Sequence, residues 1–438
     1  MRRSVLNVRL SIGTLALAAI AVVGIGLALY RFFSGIGAVS NLNQGYPWGF
    51  WIGADVLAGI ALAAGGFVVA GLMHMFGGER YHPLVRPTIL TAFLGYLLFV
   101  VALMVDLGRP WTIWHMIIYW HHESPMFEVG WCVMMYTTIL FMEFLPVVFE
   151  RFRLDRPYAI WMNAAPWVAI ALLVLFTFAM TQSVVWVLAI AAVLIAFEWL
   201  IRLGIIHRDP RMPTMLLMAG IIFSTLHQSS LGSLFLMVPH KLNHIWYSPI
   251  LPISFFVSAV AAGVAMVIVE STASAWYFGR KVEEELLKDV GHVLTWAIFF
   301  TLALRTTDLV LRGVGTELLV FNTPSIAFWI EALVGLIIPL ALLLTPQFAT
   351  SGRWLLIASL MVITGLVINR MNVAVVGITS TYGATYYPHW IEVAITSGIV
   401  AAGVLVYLVI CSNFPVFAHE HRRPAETPEL AAGLAAHA

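Results

Sequence analysis

The sequence predicts an all-α polytopic membrane protein with ten to twelve transmembrane helices, and three observations lead there. Of 438 residues, 61% are hydrophobic and only 10% are charged, against ~25% charged in an ordinary soluble domain. Mean hydropathy is +0.92. The apolar residues fall in continuous runs long enough to cross a ~30 Å hydrocarbon layer as helices. The bilayer is therefore the solvent. This composition excludes a soluble globule, a nucleic-acid binder and a disordered chain. A net charge of +1 gives no overall field to steer a polyanion.

Twelve segments carry the pattern: 10–31, 50–76, 86–107, 127–149, 160–181, 184–204, 213–238, 249–275, 291–312, 325–346, 352–370 and 389–411. In lipid each backbone group must be satisfied within the protein, which favours helices. The runs are continuous rather than alternating, so a β-barrel is excluded. The first segment follows Met1-Arg2-Arg3, but its apolar stretch is longer than a signal peptide's and no small-residue cleavage site follows. It is expected to stay as a span. Only Thr181, Gln182 and Ser183 separate the fifth and sixth segments, so these form either a tight hairpin or one longer, bent helix.

Orientation follows from lysine and arginine. Alternate connections and the two termini collect 17 basic residues on one side and 5 on the other, with Arg305 left inside a span. Both termini are expected in the cytoplasm, and the alternation calls for an even number of crossings. The tail from His419 to Ala438 is rich in Ala, Glu and Pro and reads as disordered.

The opposite, outer connections are richer in chemistry. They hold Asn41, Asn43 and Trp48; then His115, His121 and His122; then His240, His244 and Trp246; then Tyr382, Tyr386, Tyr387 and His389. An interfacial aromatic belt accounts for part of this. The concentration of His, Asn, Trp and Tyr on one face suggests a docking surface or the mouth of a site.

Ionisable residues inside spans cost a few kcal/mol each unless paired or hydrated. Asp55 lies about five residues into the second span, roughly 8 Å below the outer boundary at 1.5 Å per residue. Asp106 ends the third span and is followed by Arg109; Glu128 opens the fourth; His227 lies in the outer half of the seventh. These four share a depth and come from different helices. An Asp106–Arg109 ion pair is the simplest structural account of its two members. A second set holds Arg305, Asp308, Glu331, Arg370 and Glu392. Arg305 and Asp308 are spaced to pair on one helix face, within a buried ion network. Glu143, Glu198 and Glu270 lie deeper and, with Asp55, form either an inward proton path or separately hydrogen-bonded residues.

Two cysteines, Cys132 and Cys411, both in apolar stretches, exclude a disulfide framework and cysteine-ligated clusters. A membrane cytochrome b needs histidine pairs within spans. Only His74, His227 and His292 lie there, at unlike depths, so no metal or haem is expected on this chain. A transporter stays open, since intramembrane charges also mark substrate paths. The small-residue stretches Gly59 to Gly71 and Ala261-Ala262-Gly263 read as close helix packing rather than broken transport helices.

The string Gly45-Tyr46-Pro47-Trp48-Gly49, followed by Trp51-Ile52-Gly53-Ala54-Asp55-Val56-Leu57 and Ala63-Ala64-Gly65-Gly66-Phe67, resembles the signature of the NrfD/polysulfide-reductase membrane-subunit superfamily. Four further strings agree: Tyr81-His82-Pro83-Leu84-Val85-Arg86-Pro87; Phe127-Glu128 with Glu143-Phe144-Leu145-Pro146; His227-Gln228-Ser229-Ser230-Leu231-Gly232-Ser233; and Phe328-Trp329-Ile330-Glu331. The resemblance is greatest to the HybB-type branch, the membrane subunit of periplasm-facing [NiFe] hydrogenases, with DsrP-type relatives sharing the pattern.

The resemblance implies two four-helix bundles plus extra helices. Residues 1–150 would hold the first bundle, 213–411 the second bundle region and 412–438 a cytoplasmic tail, while 151–212, an inserted helical hairpin, departs from the common HybB-type pattern of about ten spans. It implies a multi-pass protein of a bacterial or archaeal cytoplasmic (inner) membrane, without its own prosthetic group. Menaquinone or ubiquinone would be the bound substrate, near Trp48, Asp55, His122, Glu128 and His227. Asp55, Asp106, Glu128 and Glu143 would transfer protons. Electrons would pass to or from an outer iron–sulfur ferredoxin-like subunit or multihaem cytochrome c, in a complex with a hydrogenase or sulfur-metabolism module. The alternatives are a proton or ion translocator and a structural anchor without quinone chemistry.

Overall fold

A computed structural model describes residues 11–46, 48–68, 71, 81–206, 212–378 and 386–417. Among these, helices account for nearly all regular structure and no strand forms. The helices are α1 Ile12–Ser34, α2 Ile52–Val68, α3 His82–Asp106, α4 Pro125–Phe152, α5 Asp155–Thr181, α6 Val184–Arg202, α7 Thr214–Leu236, α8 Leu251–Phe278, α9 Glu284–Leu311, α10 Thr323–Leu344, α11 Gly352–Val376 and α12 Trp390–Asn413. Eleven are long and apolar enough to cross a membrane; Ile52–Val68 is the shorter one. The chain is a multi-pass integral membrane protein. The inner half of the second sequence segment, with His74, and the tail from 418 onward lie outside the described residues.

Local chemistry sets the helix ends. Ser11 caps α1: its hydroxyl accepts the Thr14 N–H at 3.2 Å, while the Thr14 hydroxyl accepts the Ser11 N–H at 2.8 Å, a reciprocal capping box. Proline stands in the first turn of α4, α8 and α10, where its missing N–H costs nothing. Gln182, in the left-handed region at φ 51°, turns the chain from α5 into α6. The tight hairpin is thus the alternative realised, not the single bent helix.

Helices α2, α3, α4 and α7 form one group, with α3 packed on α2 and α4, and α7 on α4. The Gln228 side chain ties α7 to α2, donating to the Ile60 carbonyl at 3.0 Å. Helices α8 to α11 form a second group, and α8 packs against both α7 and α2. The helix carrying His227 therefore belongs with the N-terminal helices in space, although it follows the hairpin in sequence. The hairpin lies outside: α5 covers α4 and α7, with the Phe176 and Phe223 rings edge to face at 5.4 Å. Of α6, only Glu198 and Ile201 are buried.

Small residues let these backbones approach, as in lipid they must when no hydrophobic force draws helices together. A Cβ on Gly263 would sit 2.7 Å from the Gly65 nitrogen, so the small-residue stretches of α2 and α8 are a packing seam. A Cβ on Gly24 would sit 2.5 Å from the Gly398 α-carbon. Through that contact α1 and α12, the first and last helices, pack along each other outside α2 and α3.

Candidate functional site

Asn41 of the α1–α2 connection donates to the Tyr387 carbonyl at 2.9 Å, Asn243 of the α7–α8 connection to the Gly377 carbonyl at 3.0 Å, and Arg312 to the His244 carbonyl at 2.5 Å, so the described parts of these connections adjoin polar residues of the helices. They fall into three clusters.

The first lies among α1, α2, α3 and α12. Residues Ile52–Ala58 of α2 form a π-turn, a distortion often found at functional sites. Asp55 sits in it, and its carboxylate accepts a hydrogen bond from Thr396 of α12 at 2.8 Å. Asp106, ending α3, acts electrostatically on Asp55 and lies within the influence of Arg31 and Glu392. Arg31 is buried and donates to the Leu107 carbonyl. The expected Asp106–Arg109 pair does not form. Leu107 leaves the helix in an extended conformation (ψ 126°), and that turn carries Arg109 away. Glu392, one helical turn from Thr396, is fully buried. It accepts the Asn41 N–H at 2.9 Å, the His389 N–H at 3.2 Å and the Tyr386 hydroxyl. Burial and then the hydrogen bond to Glu392 push the Tyr386 phenol well above its ordinary range, so it stays a donor. Its oxygen also accepts the Phe50 N–H at 2.8 Å.

The second cluster lies where α3, α4 and α7 meet. His227 is fully buried, and neither ring nitrogen has a hydrogen-bond partner. Its ring lies 5.5 Å from Tyr96 and 6.2 Å from Phe99. The Tyr96 and Ser224 hydroxyls nearby also lack a partner in hydrogen-bond geometry, although Ser224 and Gln228 lie close to the Tyr96 oxygen. Tyr136 meets Tyr96 edge to face at 4.6 Å. The backbone of Val129, next to Glu128, lies against the imidazole without hydrogen-bond geometry. Glu128 itself is half-buried in the first turn of α4, and Glu143, deeper on the same helix, packs against Gly220 of α7. Trp48 stands above, edge to face with Phe235 at 5.6 Å.

The third cluster is a buried ion network in the second group. Glu331 pairs with Arg305 and accepts from Asn372 at 2.6 Å, Trp246 at 3.2 Å and Asn369 at 3.3 Å. Of the set expected to form it, Arg305, Asp308, Glu331 and Arg370 gather here, whereas Glu392 lies in the first cluster; the pairing also differs, since Arg305 bonds Glu331, and Asp308 bonds Arg312 at 2.7 Å. Asp308 and Arg312 are four residues apart, the spacing that aligns side chains along a helix.

The sequence candidates therefore divide. Asp55 and Asp106 fall in the first cluster. Glu128, Glu143 and His227 fall in or beside the second, with Trp48 at its mouth. His122 is exposed on the α3–α4 connection, apart from both. Glu198 bonds Arg202 at 2.8 Å within α6, and Glu270 of α8 accepts the Tyr407 hydroxyl of α12 at 2.7 Å, so each has its own partner. Sequence reasoning missed Tyr96, Tyr136, Ser224 and Thr396, which look like ordinary span residues. Among the described residues no three His, Cys, Asp or Glu side chains converge as a metal site would require.

Comparison with known proteins fits this architecture. A family model described as "Polysulphide reductase, NrfD" matches residues 38–381. The chain belongs to the NrfD family. A protein of Nitratidesulfovibrio vulgaris shares 35% identity over 93% of this chain and 95% of its own length. The "Probable Ni/Fe-hydrogenase 2 b-type cytochrome subunit" of Escherichia coli shares 27% over 89% of this chain and 88% of its own. The "Menaquinone reductase, integral membrane subunit" of Nitratidesulfovibrio vulgaris shares 24% over 90% and 88% respectively. Two of these relatives thus carry the names of a hydrogenase subunit and of a menaquinone reductase membrane subunit.

Proposed function

We propose that this NrfD-family chain is the quinone-reactive subunit of a respiratory oxidoreductase, exchanging electrons between membrane menaquinone or ubiquinone and an iron–sulfur or multihaem partner on the outer face of the inner membrane. The observation that carries the reading is the group of unpartnered buried polar atoms on Tyr96, Ser224 and His227. Buried polar groups normally find partners. A quinone ring presents two carbonyl oxygens, which an imidazole N–H and a phenol can hold, within apolar walls that suit a prenyl tail.

Quinone reduction consumes two electrons and two protons, and quinol oxidation releases them. Electrons come from or go to the partner. Protons need groups of this chain near the ring. Glu128 supplies a half-buried carboxylate on the α4 side. Asp55 and Asp106, bridged to Glu392 through α12, supply a carboxylate series on the other side of α3. His227 and Tyr96 hold the ring oxygens and orient them, while Trp48 walls the entrance. Glu143 continues the carboxylates inward. The names of its relatives support membership of such a complex.

The decisive experiment is His227→Phe in the assembled complex. Phenylalanine keeps the ring volume and removes both nitrogens. Loss of quinone turnover, with partner subunits still co-purifying, supports the reading. Unchanged turnover would leave a translocator or an anchor. Proton uptake by the subunit alone in liposomes separates those two.

A further inference from the structure

A cavity of about 80 Å³, measured as room for the centres of water-sized molecules, opens among α8, α9, α10 and α11. That is several times the ~10–15 Å³ that one water needs. It lies apart from Tyr96 and His227, and nothing above assigns it a ligand. Arg305, Asp308, Glu331 and Arg370 line it. Arg370 is 1% exposed, and its Nε–H has no partner. One terminal nitrogen donates to Ser258 Oγ at 2.9 Å, and the other to Asn369 at 2.8 Å.

The charges here are unevenly paired. Arg305, Arg370, Asp308 and Glu331 line the cavity. Asp308 is taken by Arg312, which lies outside the lining, and Glu331 by Arg305. Arg370 lies within the influence of Glu331 but has no carboxylate bonded to it. The Phe255 ring, 3.7 Å beneath its guanidinium, offsets a fraction of one charge. A buried, unpaired charge is costly, so the site calls for an anion. The remaining walls are largely apolar, including Leu336, Leu366 and Val373.

We propose that this cavity binds the phosphate oxyanion of an anionic lipid headgroup, with Arg370 as its main partner and Arg305 as its second. Free phosphate offers the same oxyanion without the acyl chains that the apolar walls accommodate.

The test uses the purified protein with its co-purifying subunits in a maltoside detergent, which carries no phosphate. Dioleoyl phosphatidylglycerol or inorganic phosphate is added, and thermal unfolding is followed. The lipid is expected to raise the melting temperature by several degrees through preferential binding to the folded state, and Arg370→Gln should abolish the rise. A rise with phosphate alone keeps the oxyanion site and assigns it to a soluble anion. Ser258→Asp guards against a variant that simply fails to fold, because it supplies an internal carboxylate beside Arg370. It should melt as high as wild type without lipid and lose the lipid response. Equal responses in wild type and Arg370→Gln, or a Ser258→Asp protein that melts low and still responds, would overturn the proposal.

Discussion

Thr396 on α12 donates a 2.8 Å hydrogen bond to Asp55 in the π-turn of α2, joining residues 341 apart in sequence. The last helix thus orients a carboxylate of the first helix group. Thr396→Val keeps the branched shape and removes the donor, at a cost of about 1 kcal/mol in stability. If Asp55 moves protons for quinone turnover, the variant assembles normally and turns over several-fold more slowly. Steady-state quinone reduction by the purified complex measures this, and wild-type rates in Thr396→Val would remove Asp55 from the proton path.

Glu331 accepts from Arg305, Trp246, Asn369 and Asn372 and is 2% exposed. Glu331→Gln leaves Arg305 without its carboxylate and is expected to cost about 3–5 kcal/mol, read as a lower melting temperature. Replacing the pair together, Glu331→Gln with Arg305→Met, keeps an acceptor for Trp246, Asn369 and Asn372 and should recover most of the loss. If the double variant melts no higher than the single one, the pairing is not what stabilises this region.

Tyr386 donates to Glu392 and accepts from the Phe50 N–H. Tyr386→Phe removes a bond to a buried carboxylate and one from a backbone N–H, a loss of about 1–3 kcal/mol. The effect also depends on pH. The folded phenol titrates above its ordinary range, so its contribution is whole below pH ~10, the unfolded value. It declines as pH rises further, because the folded state then holds the extra proton. Denaturation followed from pH 8 upward should show that decline in wild type and less of it in Tyr386→Phe.

Gly24 and Gly398 meet backbone to backbone. Gly398→Leu should force α1 away from α12, at about 1–3 kcal/mol for an overpacked contact. Protease sensitivity of the α1–α2 connection reports the separation. A protein as stable and as resistant as wild type would mean that α1 docks by other contacts.

The spans were legible because continuous apolar runs have one meaning in a bilayer, and all twelve segments appear as helices, the second only in part. Pairing was less legible, because partners depend on which helix faces which. Arg305 stands one turn from Asp308 in sequence but bonds Glu331 on the neighbouring helix. Asp106 precedes Arg109 but faces Arg31, since the chain turns at Leu107. Ionisable residues flagged themselves by their cost in lipid. Tyr96 and Ser224 did not, because a tyrosine or serine in a span is unremarkable until its hydroxyl is seen to lack a partner.

The meeting of α1 with α12 has a bearing on biogenesis. A ribosome delivers α1 well before α12, so α1 rests in lipid without its glycine seat while the ten helices between them are made. Its apolar surface suits that wait, since little of it is buried even in the folded protein. Synthesis of α12 is then registered physically, by the closing of a seam that no product lacking α12 can form. Any quality-control factor that senses a loose α1 would thereby detect a missing α12.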